Sequence, residues 1–371
     1  MTTNPAPTGT GPPAAVRAYT HLRTAHLERF PHMTPARVLY TGTRYDFDES
    51  LIDGANPPVR LSRYGVIHEL LWRQPPVLEV NEPNMVAAWS FVLAQVAAVR
   101  LRGTLSRRRT TVVAYCIGNT DPAIGLERRR WMPRPLARPV ARVVMRTLVG
   151  ATDRLAFGST GSLELYRTYV DRRRLADKSR LFEALPSPCA CLAEATGPRR
   201  PTQLTFVGAL AARKGVPRIM AAWDVLRERQ PTATLQILGK GELEREVVAW
   251  ATGRPEVSVA IDPPRPTIHR VLRQSGVVVM LSDHRPFREQ VGLPVLEGLS
   301  HGCEIVTTSE TGLADWLTGH GHEVVALDAP TAHVVAAVEA AFRRAPARTG
   351  SLADLPATDQ RIAADRWMMG S

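Results

Sequence analysis

The chain has 371 residues, 44% of them apolar and 22% charged, which is too long for one ordinary core and suits two domains. No stretch approaches the ~18 uninterrupted apolar residues of a membrane-spanning helix. Residues 1–13 lack the cationic start and apolar run of a signal peptide, so we expect a disordered tail there and a cytoplasmic protein. The formal net charge of +12 favours an anionic partner, with a solvated Arg-rich surface as the alternative.

The N-terminal half alternates predicted helices and strands. Apolar spacing over residues 14–29 predicts a first helix that ends before Pro31. Further strands are predicted over residues 37–40, 77–80, 110–117 and 155–159, and further helices over residues 85–100, 136–148 and 162–169. The polar residues that follow the strands are candidates for contacts with a ligand: Thr41, Arg44, Glu82, Asn84, Asn119 and Asp121. All six are also common turn residues, so a purely structural role is the alternative.

Residues 128–146 form a basic amphipathic stretch, in which Arg138, Arg142 and Arg146 share one helix face. Peripheral contact with an anionic membrane, on the inner face, is one interpretation of this stretch. A solvated basic surface is the other. We do not predict nucleic-acid binding, because aromatic residues make up 6% of the chain and do not interleave with the Arg runs.

Residues 186–201 are rich in Pro, Ala and Arg and lack periodicity, which predicts a linker. Cys189 and Cys191 lie within it, and Cys116 and Cys303 stand alone. No second Cys pair and no neighbouring His cluster completes a zinc site in the sequence. We therefore predict free thiols in a reducing compartment and no metal, with metal binding at the Cys pair as the minor alternative.

The second half alternates strands and helices more clearly. Strands are predicted over residues 203–207, 233–238, 257–261, 277–281 and 304–308, with helices over residues 216–229, 243–250, 268–274, 295–300 and 313–318. This alternation is typical of an α/β protein with a doubly wound parallel sheet. The expected domains are residues 14–185 and 202–355, and a C-terminal helix within residues 356–371 is expected to pack back on the first domain.

One candidate site segment covers residues 206–215. A strand ends at Gly208, a short loop follows, and Lys214 with Gly215 opens a helix. Glycine lets the backbone approach a ligand closely. A cation at a helix start, Lys214 with Arg213 beside it, suits a diphosphate. A simple helix cap is the alternative.

A second segment contains two glutamates eight positions apart, Glu289 and Glu297. Pro294 suits the first turn of a helix. The N–H groups of Val291, Gly292 and Leu293 would then point at an anion, and the two carboxylates would flank it. Two ordinary surface glutamates are the alternative.

These segments resemble the retaining nucleotide-sugar glycosyltransferases of family four, whose motif places two Glu residues at this spacing around a Gly and a Pro. The Val207-Gly208 and Lys214-Gly215 pairs match the upstream motif of that family, and residues 310–313, including Thr311 and Gly312, match its Gly-rich donor loop. The resemblance covers residues 202–327 well. It implies a GT-B fold, in which two Rossmann-like doubly wound domains face a central cleft.

The resemblance also implies roles for individual residues. Glu289 would contact the transferred sugar, Glu297 the donor ribose, and Lys214 the diphosphate of a UDP- or GDP-sugar. Donor contacts would also come from Gly208, Arg213, Val291, Gly292, Leu293, Thr311 and Gly312. No metal or other cofactor is implied, since the leaving phosphate would act as base in a same-face attack.

The chain departs from the family in two places. Ala209 stands where the family has a second cation, for which Arg213 is a candidate substitute. The strand at residues 110–117 also lacks the His that related enzymes carry at its end. A non-catalytic nucleotide-sugar binder and a nucleotide-sugar epimerase are the alternative functions. The first domain would bind the acceptor, a polysaccharide, glycolipid or natural-product precursor, through the polar residues at its strand ends.

Overall fold

The computed structural model describes residues 15–44, 47–52, 56–130, 132–193, 197–283 and 291–370, without the side chains of residues 347–351. The predicted tail over residues 1–13 lies outside the described residues. Contacts divide the chain into two compact units. The first unit takes the described parts of residues 1–157, 163–181 and 362–371, and the second takes those of residues 158–162 and 182–361.

The elements follow one another along the chain in regular alternation. The described strands are β1 (Ala15–Leu22), β2 (Ala36–Thr43), β3 (Val59–Arg60), β4 (Val77–Val80), β5 (Thr111–Cys116), β6 (Arg154–Phe157), β7 (Ser179–Leu181), β8 (Arg200–Val207), β9 (Thr234–Gly239), β10 (Val257–Ile261), β11 (Ser275–Met280), β12 (Glu304–Thr308) and β13 (Glu323–Val325). The described α-helices are α1 (Thr24–Arg29), α2 (Arg63–Arg73), α3 (Trp89–Ser106), α4 (Pro122–Glu127), α5 (Arg134–Ala151), α6 (Thr160–Arg167), α7 (Arg172–Ala176), α8 (Val216–Arg229), α9 (Glu244–Ala251), α10 (Arg265–Gln274), α11 (Leu293–Ser300), α12 (Ala314–Gly319), α13 (Thr331–Arg344) and α14 (Gln360–Met369).

Each unit contains one parallel sheet. Among the described residues, the first sheet has the order β3-β2-β1-β4-β5-β6-β7 and the second has the order β10-β9-β8-β11-β12-β13. In both sheets the chain moves outward from a central strand on one side and then returns to build the other side. The predicted α/β class with two doubly wound parallel sheets is therefore confirmed.

The prediction of one helix over residues 14–29 is wrong, because residues 15–22 form β1 and only residues 24–29 are helical. β1 lies between β2 and β4, so side chains on both of its faces are buried. A strand buried on both faces lacks the alternation of a half-exposed strand, and its apolar spacing can imitate that of a helix. The strand predicted as first, at residues 37–40, is consequently β2.

A buried charged cluster ties the last helix to the first sheet. Arg17 on β1 donates to Glu79 on β4 at 3.1 Å and to Asp365 on α14 at 2.6 Å. Asp365 also accepts from the backbone N–H of Thr34 at 2.7 Å. The side chains of Arg17, Glu79 and Asp365 are each at most 2% exposed, so these contacts have little competition from water. Residues 362–370 belong to the first unit in the structure.

Within the described residues, the stretch Val86–Ser106 is long and apolar enough to cross a membrane by length and composition. Its side chains Phe91, Val92, Val96 and Val99 pack into the core of the first unit, against the strands of the sheet. A core helix of a globular domain has the same composition, so this stretch is weak evidence for a membrane span.

Candidate functional site

The described donor-side candidates lie where the strand order of the second sheet reverses. β8 starts this sheet, β9 and β10 follow on one side, and β11 to β13 follow on the other. The loops that leave β8 and β11 therefore diverge to opposite faces of the sheet and open a crevice at the carboxyl ends of the strands. Gly208 to Gly215 form the loop after β8, and α11 follows the loop after β11.

Glycine is required at two positions of the β8 loop. Gly215 has a φ of 76°, and a Cβ there would lie 2.2 Å from the carbonyl oxygen of Leu281 at the end of β11. Gly208 has a φ of 145°, and a Cβ there would lie 3.8 Å from the Pro294 ring on α11. The β8 loop is therefore held close to both the end of β11 and the first turn of α11.

Hydrogen bonds fix the same arrangement. The backbone N–H of Asp283, just after β11, donates to the carbonyl of Arg213 at 2.9 Å. The N–H of Lys214 donates to Ala211, in a single turn of 3-10 helix over Ala212–Lys214 that leads into α8. Lys214 and Arg213 are both half-buried at this place. Arg213 and Lys214 thus lie at the carboxyl edge of the sheet, and Arg213 is bonded through its backbone to Asp283.

α11 begins at Leu293, two residues before the predicted start, and has Pro294 in its first turn as expected. Gly292 is its N-cap residue. Gly292 has no side chain that could cap this start, so the N-cap residue supplies no side-chain acceptor for the first N–H groups. Gly298 lets the helix pack closely on the sheet, since a Cβ would lie 3.0 Å from Val278 and 2.8 Å from Ile305. Val291 is buried, at 7% exposure.

Glu297 has a cationic partner that sequence reasoning missed. Arg265 at the start of α10 places Nη1 2.7 Å from Glu297 Oε1, and the two side chains are 25% and 20% exposed. The two helices are far apart in sequence, and no motif signals the pair. The predicted catalytic Glu289 lies outside the described residues, so its role stays a prediction.

Thr311 and Gly312 follow β12, the next strand of the sheet. The Thr308 hydroxyl at the end of β12 donates to the Ser282 carbonyl at 3.0 Å, which joins this loop to the end of β11. Thr311 is buried and Gly312 is half-buried. The structure thus brings together the three loops, after β8, β11 and β12, to which the donor candidates were assigned.

In the first unit, the acceptor candidates hold their own loops together. Glu82 accepts hydrogen bonds from the N–H groups of Ile117 and Gly118, both at 2.8 Å. Burial raises the pKa of Glu82 above its ordinary value, against the opposing effect of those two donors. Asn84 donates to the Gly118 carbonyl at 2.7 Å. These contacts support the structural alternative for Glu82 and Asn84, although both loops follow neighbouring strands.

Of the other acceptor candidates, Thr41 and Asp121 also make structural contacts within their own unit. The Thr41 hydroxyl donates to the Thr20 carbonyl at 2.8 Å. Asp121 caps α4 by accepting from the N–H of Ala123 at 2.8 Å and also accepts from the Tyr169 hydroxyl. Asn119 is buried at 7% exposure, whereas Arg44 is exposed.

His21 was missed because residues 15–22 were assigned to a helix. It lies near the end of β1, beside the place where the strand order of the first sheet reverses. Partial burial, followed by the charges of Arg44 and Arg23, lowers the pKa of His21. The His21 imidazole therefore lies near arginines at the carboxyl edge of this sheet. The end of β5, where the family resemblance implies a His, has none.

The basic stretch at residues 128–146 includes most of α5. Its apolar side chains Ala137, Ala141 and Met145 are buried in the core, while Leu136 and Val143 are exposed. Arg138 and Arg142 are exposed. The core therefore uses much of the apolar face that a membrane would contact, and peripheral membrane binding stays a prediction.

A family comparison bears directly on the second unit. Residues 201–343 match the model of a family described as glycosyl transferases group 1. The resemblance to group 1 glycosyltransferases is thereby confirmed. All of the donor-side candidates lie within these matched residues. The narrower assignment to family four stays a prediction. A comparison with curated proteins gave no match.

Solved structures with a similar fold cover both units of the chain. WaaG, a glycosyltransferase involved in lipopolysaccharide biosynthesis, is 13% identical with a TM-score of 0.57, over 96% of this chain and 100% of its own. The sucrose-phosphate synthase of Thermosynechococcus elongatus is 12% identical with a TM-score of 0.57, over 96% and 98%. A putative UDP-N-acetylglucosamine 2-epimerase from Listeria monocytogenes is 11% identical with a TM-score of 0.54, over 95% and 94%. At these identities the likeness confirms the GT-B fold and does not choose between transfer and epimerisation.

Proposed function

We propose that the chain is a retaining glycosyltransferase that uses a UDP- or GDP-sugar as donor. The observation that carries this proposal is the convergence of the β8 loop and the start of α11 at the reversal of strand order. Lys214 lies in the β8 loop and Glu297 lies in α11, and both are within the residues that match the group 1 family. A cation and a helix start side by side suit the two phosphates of a nucleotide.

The proposed reaction follows from where charge develops. As the bond between the sugar and the phosphate breaks, positive charge grows on the sugar and negative charge on the phosphate oxygens. Lys214 and the N–H groups of Gly292 and Leu293 would stabilise the departing diphosphate. Glu289 would face the sugar, and Glu297, held by Arg265, would accept hydrogen bonds from the donor ribose. The acceptor oxygen attacks from the same face and passes its proton to the leaving phosphate.

Two observations bear on the acceptor. His21 and Arg44 lie at the carboxyl edge of the first sheet, near the strand-order reversal, where a ligand of this unit would bind. Most predicted acceptor contacts are instead engaged in holding their loops. We therefore propose His21 and Arg44 as the acceptor-side residues to test first. The acceptor would be a polysaccharide, glycolipid or natural-product precursor, and the protein would act in the cytoplasm.

A panel of UDP-, GDP- and dTDP-sugars tests this function. We expect one nucleotide class to bind and to be released as the diphosphate, with the transferred sugar keeping its anomeric configuration by NMR. The Glu289→Gln variant should bind the same donor and lose turnover. Failure of every donor to bind or react would reject the transferase and the binding-protein alternative together. Epimerisation of the sugar without nucleotide release would favour the epimerase alternative.

A further inference from the structure

The second unit contains a cluster of four side chains with the composition of a structural zinc site. Cys189 and Cys191 lie beside His269 on α10 and His301, which directly follows α11. One potential ligand atom from each side chain lies within 4.8 Å of the other three. His269 and His301 follow Cys191 by 78 and 110 residues, so sequence spacing did not reveal the cluster.

The distances approximate the edges of a tetrahedron around one ion. His269 Nδ1 and His301 Nε2 are 3.1 Å apart, and His301 Nε2 is 3.2 Å from Cys191 Sγ. His269 Nδ1 is 3.8 Å from Cys189 Sγ and 3.9 Å from Cys191 Sγ. Tetrahedral zinc with two sulfur and two nitrogen ligands has edges of about 3.3–3.8 Å. The two sulfurs lie 2.7 Å apart, and binding one ion would increase this separation by about 1 Å.

The protonation pattern also suits a metal. His301 Nδ1 lies 2.6 Å from the Glu297 carbonyl oxygen, which only accepts hydrogen bonds. Nδ1 therefore carries the proton, and Nε2 directs its lone pair into the cluster, as in metal-bound histidines with a carbonyl partner.

We propose that Cys189, Cys191, His269 and His301 bind one zinc ion. Two sulfur and two imidazole ligands select zinc among the common cellular metals, and four protein ligands close the coordination sphere, as in a structural site. This proposal differs from the sequence-based prediction of free thiols and is independent of the proposed transfer reaction.

The ion would join three segments of the second unit. Cys189 already donates its N–H to the Ser300 carbonyl at 2.8 Å, and Arg273 on α10 donates to the Cys191 carbonyl at 2.9 Å. A shared metal would therefore pin the segment around residues 189–193 to α10 and to the end of α11. His301 also contacts the carbonyl of Glu297, so the ion would support the helix that carries a proposed donor ligand.

The test is metal content of the full chain, expressed with added zinc, purified under reducing conditions and dialysed against metal-free buffer. We expect one zinc per chain by mass spectrometry, and a tetrahedral cobalt–thiolate spectrum after cobalt substitution. Cys191→Ser and His269→Asn should lose the metal. Cys303→Ser, at a buried thiol outside the cluster, and His333→Asn, at an exposed imidazole, should keep it.

A measurement on the unmodified protein covers the case in which a ligand variant does not fold. A mercurial reagent should release one zinc, detected with a metal-binding dye, and prior removal of zinc by a chelator should lower the Tm. Absence of zinc from the wild type, expressed with added zinc and kept reduced, would overturn the proposal. Wild type purified in this way without zinc and with a Cys189–Cys191 disulfide would overturn it too. Retention of zinc by both ligand variants would overturn it as well.

Discussion

Arg265 Nη1 lies 2.7 Å from Glu297 Oε1, which joins the start of α10 to α11 beside the candidate donor site. Charge-assisted hydrogen bonds orient carboxylates strongly, and both side chains are mostly buried. The ion pair therefore sets the position of the Glu297 side chain. Arg265 also adds a positive charge near a predicted site in which Ala209 replaces the family cation.

Replacing Arg265 by Ala should weaken donor binding by about 10-fold, because Glu297 would lose its fixed orientation. Turnover at saturating donor should change less, since neither side chain faces the breaking bond in the proposed reaction. The measurement is the donor KM and kcat, compared with those of Arg270→Ala, at an exposed residue on the same helix. Equal KM values for the two variants would remove Arg265 from this positioning role.

Gly215→Ala should destabilise the second unit. Its φ of 76° is unfavourable for a side chain, and the added Cβ would lie 2.2 Å from the backbone oxygen of Leu281. We expect a loss of about 1–3 kcal/mol in the free energy of unfolding, measured by urea denaturation. Gly319→Ala is the control, because a Cβ added at Gly319 would have no neighbouring atom within 4 Å among the described residues. A Gly215→Ala variant as stable as this control would refute the close approach of the two loops.

Asp365→Ala should destabilise the first unit, because it leaves the buried Arg17 with Glu79 as its one described carboxylate partner. Removing one member of a buried ion pair costs about 3–5 kcal/mol. Thermal unfolding should show the loss, whereas Glu164→Ala, at a surface pair with Arg167, should cost no more than about 1 kcal/mol. Similar Tm values for both variants would show that α14 does not stabilise the first sheet.

The sequence predicted most of the fold because strands buried in parallel sheets form short apolar runs between helical segments. The sequence failed to predict β1, because burial on both faces removed the alternation of a half-exposed strand. Arg17 on β1 is buried against Glu79 and Asp365, which are 62 and 348 residues away in the sequence. Local motifs located the β8 loop and α11 correctly. Arg265, His21 and the His partners of Cys189 depend on long-range packing, which no local spacing encodes.

A nucleoside diphosphate should bind beside Lys214, and calorimetry with UDP and GDP measures that binding. Lys240→Ala is the matched control, since Lys240 is exposed and paired with Asp262 at 2.7 Å. We predict that the wild type and Lys240→Ala bind one of the two nucleotides alike. Lys214→Ala should lose about 2–5 kcal/mol of binding free energy, which is ~30-fold or more in Kd. Wild-type affinity in Lys214→Ala, or no nucleotide binding by the wild type, would contradict the account.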